Sequence, residues 1–197
     1  MNVLGLPIPD GYELPFVFTL IIILVKLSLI IFISYKLTRN KNKENAVAST
    51  FLKSVMFLMI CFLISRFIYM IFDFFLTKFV SASYPLFPNI WYWKTATLIS
   101  AVGVGVLLLI IDRRILQNKF KGLFGIIIFI ACAVQFFYPV QTDEDFTMVS
   151  TIGSFASFCS FLIPILFFWI GAKTPGLRKT SLRLHLGSSS MPWAVLR

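Results

Sequence analysis

The chain has 197 residues, of which 58% are hydrophobic and only 13% charged, and its mean hydropathy is +0.89. A soluble domain carries about 25% charged residues, so a water-facing surface over most of this chain is excluded. The net charge of +10 would point to nucleic acid in a soluble protein, but here the cations cluster beside apolar runs, where anionic lipid headgroups are the nearer partner.

The N-terminal stretch MNVLGLPIPDGYELP lacks the positive n-region and short apolar core of a secretory signal, and the apolar run after it is too long to be one, so it is expected to be retained. A bilayer core of about 30 Å needs roughly 20 helical residues at about 1.5 Å each. Five stretches reach or approach that length: Leu14 to Tyr35, Ser54 to Phe75, Thr95 to Ile111, Gly122 to Val140 and Thr147 to Ala172. Lipid offers the backbone no hydrogen-bond partners, so the spans must be helices. The expected fold is therefore all-α, a polytopic transmembrane bundle over residues 1–172 with a basic tail over 173–197.

Lys26 sits near the middle of the first span. An ammonium there must find a partner or snorkel along its flexible stem. The first loop then carries Lys36, Arg39, Lys41 and Lys43.

Arg66 lies near the middle of the second span, and Asp73 follows seven residues later, two turns along the same face. Cys61, Ser65, Tyr69 and Asp73 step by four, which predicts a polar stripe facing protein or water. Charges at bilayer depth cost roughly 2.5–3.5 kcal/mol on insertion scales, so Lys26, Arg66, Tyr69, Asp73 and Gln135 form a candidate intramembrane polar site. Gln135, Ser154 and Ser157 are available as polar partners from other helices. Two cations and one acid in a bundle suit an anionic group, either a lipid phosphate or a ligand carboxylate. The alternative is that Arg66 pairs with Asp73 or with backbone carbonyls and only locks packing.

The segment Ser81 to Trp93, SASYPLFPNIWYW, is the one outer loop long enough to cover anything, and its aromatics suit a lid or belt at the interface. The third span is expected to be short and to lean on Trp91, Tyr92 and Trp93 as anchors. Ala101 with Gly105, and Gly153, Ala156 and Ser160, are small residues at a spacing that lets helices approach closely. The second basic loop holds Arg113, Arg114, Lys119 and Lys121. The acidic turn Asp143 to Asp145 lacks the ligand spacing of a calcium loop. Pro164 removes the amide that would bond the carbonyl of Ser160, so the fifth span is expected to bend there.

The tail adds Lys173, Arg178, Lys179, Arg183 and Arg197, and holds the single histidine, His185. Thirteen cations thus fall on one side, and two, Lys78 and Lys94, on the other beside Asp10, Glu13 and Asp143 to Asp145. This asymmetry predicts the N-terminus outside and the C-terminus in the cytoplasm of a multi-pass protein of the cell membrane. The basic segments should bind anionic inner-leaflet lipids. The tail ends where a sixth span is expected, which reads as a shortened or frame-altered form of a longer chain.

Enzymatic chemistry finds no motif. Zinc proteolysis needs paired histidines, a P-loop needs GxxxxGK[ST], and intramembrane aspartyl chemistry needs two carboxylates sharing a proton, whereas Asp73 has no second acid at membrane depth. Cys61, Cys132 and Cys159 lie in apolar runs and point to neither disulfides nor a metal. No cofactor is expected. The segments FDFFLTKF, PNIWYWK, IDRRILQNKFKG and IGAKTPGLRKTSL resemble an uncharacterised class of archaeal multi-spanning membrane proteins. That resemblance covers most of the chain before about Leu182 and implies neither an activity nor a functional residue. The leading expectation is a non-enzymatic bundle that senses or binds a small or lipidic ligand around Arg66. The rivals are a transporter or channel component and a structural subunit whose charges pair with another membrane chain or a second copy.

Overall fold

The structure, a computed structural model, describes residues 2–3, 6–39, 46–114 and 116–158. The described residues are predominantly helical. A two-residue antiparallel ladder, β1 (Asn2–Val3) with β2 (Leu6–Pro7), precedes α1 (Glu13–Arg39). Then come α2 (Ala46–Met70), which continues as a π-helical segment over Ile71–Leu76, a 3-10 turn (Ser81–Ser83), α3 (Asn89–Arg114), α4 (Leu123–Phe137) and α5 (Asp143–Phe158). Three of these helical stretches, Glu13–Arg39, Ser49–Leu76 and Asn89–Arg114, are long and apolar enough to cross a membrane.

α1 begins where local chemistry favours a start. Glu13 in the first turn complements the helix dipole, and Pro15 falls where its missing N–H costs nothing. Lys36 and Arg39 close the last turn beside the exposed carbonyls. Of its residues only Phe16, Thr19, Ile23 and Ile33 are buried. Their spacing defines a single stripe, and α1 spends this stripe on α2.

Cross-helix contacts give the register. Arg66 meets Thr19, Lys26 meets Phe62 and Ser34 meets Met56, so α1 and α2 run antiparallel. Ser65 and Cys61 of α2 meet Ala96 and Gly103 of α3 in the same sense. On the other side of α3, Gly105 faces Phe129, and Leu109 faces Gly125 of α4. α3 is the central helix: 44% of its most apolar stretch is buried, against 17% in α1.

The third stretch is not short. The helix starts at Asn89, just after Pro88, and runs for 26 residues, so Trp91, Tyr92 and Trp93 belong to it and do not flank it. The fourth is shorter than expected, at 15 residues, because Tyr138 turns extended ahead of Pro139, the conformation a residue before proline prefers. The fifth begins earlier, at Asp143, through an N-terminal box. Thr142 Oγ1 accepts the Asp145 amide, while the Asp145 carboxylate accepts the amides of Gln141 and Thr142. These bonds hold the Asp145 carboxyl below its ordinary range.

The turn between α3 and α4 is built around Asp112, a buried carboxylate. Its two oxygens accept the amides of Phe120 and Gly122 at 3.0 and 2.6 Å, and its carbonyl accepts the Asn118 amide. Gln117, Asn118, Lys121 and Gly122 all take positive φ there. Ser160, Pro164, Ser157 and Ala156 side chains, Cys159 and the tail with His185 lie outside what the structure describes.

Candidate functional site

Thr19 and Lys26 are seven residues apart on α1, so both point along the seam with α2. The Thr19 hydroxyl donates to the carbonyl of Pro15 at 2.9 Å and accepts an Nη2–H of Arg66 at 2.9 Å. The Arg66 Nε is buried and has no hydrogen-bond partner among the described residues. One edge of the guanidinium is therefore anchored, and an adjacent N–H stays unsatisfied. A turn further along, the Lys26 ammonium donates to the carbonyl of Phe62 at 3.3 Å and lies 5.4 Å from the Phe62 ring centre. Lys26 and Arg66 are both half-buried. Among the described residues no ion pair joins either one to Asp73.

The expected stripe on α2 divides in two. Cys61, Ser65 and Tyr69 face α3, with the Ser65 hydroxyl donating to the Ala96 carbonyl at 2.8 Å and Cys61 packed on Gly103. Thr97 gives its own proton to the Trp93 carbonyl, so the Tyr69 hydroxyl donates to Thr97, 2.6 Å away. Arg66 faces α1 instead, since one residue turns the helix by about 100° from Ser65. Tyr69 is thereby satisfied away from the cations.

Asp73 sits half-buried in the π-helical segment at the end of α2. There Thr77 returns both its amide and its hydroxyl to the Phe72 carbonyl, and the chain then leaves the helix through positive φ at Lys78 and Phe79. Tyr84, from the connection between α2 and α3, stacks obliquely between Phe72 and Phe146. Burial, then the nearby Asp73 carboxylate and Tyr12, push the Tyr84 phenol above its ordinary range. Further along this end, Tyr12 stacks on Phe79 at 4.1 Å, and Phe16 meets Phe74 edge-on. The connection between α2 and α3 is thus tied to the helix ends by Tyr84, while Leu86 and Phe87 remain exposed.

Gln135 is not part of the seam. It is 2% exposed on α4, its Nε2 has no hydrogen-bond partner among the described residues, and it lies against Gly153 of α5. Ser154 bonds back to the Ser150 carbonyl of its own helix. Of the small residues, Gly105 seats the Phe129 ring and Gly153 seats Gln135.

Three side chains matter here that the sequence did not single out. Thr19 could have been found from its seven-residue spacing to Lys26. Lys94 is expected outside the third span, yet it is buried inside α3, donating to the carbonyls of Phe136 and Tyr138 at the end of α4. Thr97 carried no signal at all.

Among the described residues no group of His, Cys, Asp and Glu could hold a metal ion. No family model matches the chain, and neither a curated protein nor a solved structure matches it.

Proposed function

We propose that this chain is a multi-pass protein of the cell membrane, N-terminus outside and C-terminus cytoplasmic, that binds an anionic group within the bilayer through Arg66 and Lys26. The function is non-enzymatic binding or sensing, with the basic inner loops as the relay to the cytoplasm. Three apolar helices of spanning length and the one-sided cations support the membrane placement. α4 and α5 complete five crossings in this reading.

The observation that carries the binding role is the state of Arg66. Thr19 fixes the guanidinium while a buried N–H beside that contact has no partner among the described residues. A buried donor without an acceptor costs about 1–3 kcal/mol, and an anion would recover it. Transport is less well supported, because α1, α2 and α3 run unbroken through their centres, whereas transport sites favour helices broken near the midplane. The resemblance to archaeal multi-spanning proteins adds no activity to this reading.

The test uses the full chain in detergent, titrated with benzoate, with benzamide as the neutral control. Ligand binding raises the melting temperature by about 2–4 °C per kcal/mol for a chain of this size. Benzoate should give such a shift in the wild type, a smaller one in Thr19→Val and none in Arg66→Gln. An equal shift from benzamide, or an undiminished one in Arg66→Gln, would defeat the proposal.

A further inference from the structure

Lys26 is the middle residue of α1, thirteen positions from Glu13 and thirteen from Arg39. Its level on α2 can be read independently. Thr19 lies opposite Arg66, and Ser34 lies opposite Met56, so the position opposite Lys26 falls within one residue of Phe62, the residue its ammonium contacts. Phe62 is in turn at the centre of the second apolar stretch, Ser49–Leu76. The lysine stem therefore runs level across the seam and does not snorkel toward either end.

This geometry decides what anion can reach it. Either end of α1 is about 19 Å away along the helix, and half of a bilayer core is about 15 Å. Lipid phosphates lie beyond that distance. A second copy of this chain does no better. Its eight acids are Asp10, Glu13, Glu44, Asp73, Asp112, Asp143, Glu144 and Asp145. The deepest in a span, Asp73, is eleven residues from Phe62, about 16 Å along the helix, and copies sharing one membrane orientation keep their residues at equal depths. Asp112, at the opposite helix end, has already given its carboxylate to the Phe120 and Gly122 amides.

The surface beside Lys26 is apolar and open. Ile22, Val25, Leu29 and Phe32 are exposed at helical spacing along one flank of α1, whose buried stripe lies against α2. Such a flank takes another helix or lipid tails. The half-buried ammonium at its edge has three N–H donors, and its described hydrogen bond is to Phe62.

Resting on the reading of Arg66 and Lys26 as an intramembrane anion site, we infer that the anion at Lys26 is a carboxylate borne near the centre of a transmembrane helix of a different protein, docked on α1. Intramembrane cations pair with opposite charges or with main-chain carbonyls, and the carbonyl of Phe62 engages one of the three Lys26 donors.

The test reconstitutes the full chain, donor-labelled, in phosphatidylcholine vesicles with acceptor-labelled leucine–alanine transmembrane peptides. These carry Asp, Asn or Leu at the centre, or Asp displaced seven residues toward either end. Energy transfer should report about tenfold tighter association for the central Asp than for the central Leu, equivalent to ~1.4 kcal/mol. Displaced Asp and Asn should fall near Leu. Lys26→Met should abolish the preference and Lys26→Arg should keep it, with thermal melts checking that both variants fold. Equal association of all the peptides, or a preference that survives Lys26→Met, overturns the inference. A benzoate response with no peptide preference overturns this inference alone, whereas loss of both removes the anion site itself.

Discussion

The Lys94 ammonium donates to the main-chain carbonyl of Tyr138 at 2.5 Å and to that of Phe136 at 3.2 Å, joining α3 to the last turn of α4. The last carbonyls of a helix have no intrahelical donors, and a cation there also meets the negative end of the dipole. Lys94 therefore works as a cap supplied from another helix, with its ammonium 5.8 Å from the Trp91 ring centre.

Replacing Lys94 by Met keeps the stem and removes the donors. The buried carbonyls are left unpaired, and a cost of about 1–3 kcal/mol is expected, read as a lowered melting temperature in detergent. Lys94→Arg should recover part of it. A melt unchanged in Lys94→Met would refute the capping role.

Asp112 offers a second test. Asp112→Asn turns one acceptor into a donor facing an amide, so the turn over residues 116–122 loses a bond at Phe120 or Gly122. Hydrogen bonds to charged groups contribute about 1.5–3 kcal/mol. Limited proteolysis should show the variant nicked in this turn sooner than the wild type, and equal nicking rates would count against it.

Gly103 of α3 packs directly against Cys61 of α2. A Cβ there would come 2.8 Å from the Cys61 Cβ, an atom fixed to its own backbone. Gly103→Ala should therefore force the helices apart, at about 1–3 kcal/mol. Cys61→Gly in the same background should restore much of the loss, and failure of that rescue would show that the contact is not the cause.

Acid should fray α5 from its first turn. The Asp145 carboxyl is held below its ordinary range by the amides of Gln141 and Thr142 and by the Thr142 hydroxyl. A depressed folded pKa means the stabilisation is present above the unfolded value, about 3.9, and is lost as pH falls through the lower folded one. Protection of the Gln141 and Thr142 amides, taken relative to the intrinsic exchange rate at each pH, should fall on acidification below about pH 4. In Asp145→Asn that protection should already be weaker at neutral pH and should not change with acid. An acid response that persists in the variant would point to another group.

The legible part of the site was its position along the apolar helices. Lys26 and Arg66 could be placed near mid-span by counting residues, because a helix advances a constant distance per residue. Direction around the helix was less legible. Steps of four put Cys61, Ser65 and Tyr69 on one face correctly, but grouping Arg66 with them missed the turn of about 100° that sends it to Thr19 on α1. Gln135 shares a plausible depth with the cations yet meets Gly153 on α5, since which neighbour a face meets depends on how the helices are arranged side by side.

The sequence by itself determined that the chain builds apolar helices long enough to cross a membrane, because hydropathy and length accumulate residue by residue along one segment. Helix limits followed where local chemistry sets them, as at Glu13 and Pro15 in α1. Only the tertiary structure decided that Lys94 caps α4, that Asp112 closes the turn before it, and that Lys26 runs level to the Phe62 carbonyl. Each of these depends on an atom from a distant part of the chain, and a buried polar group takes whichever partner packing brings within hydrogen-bond reach.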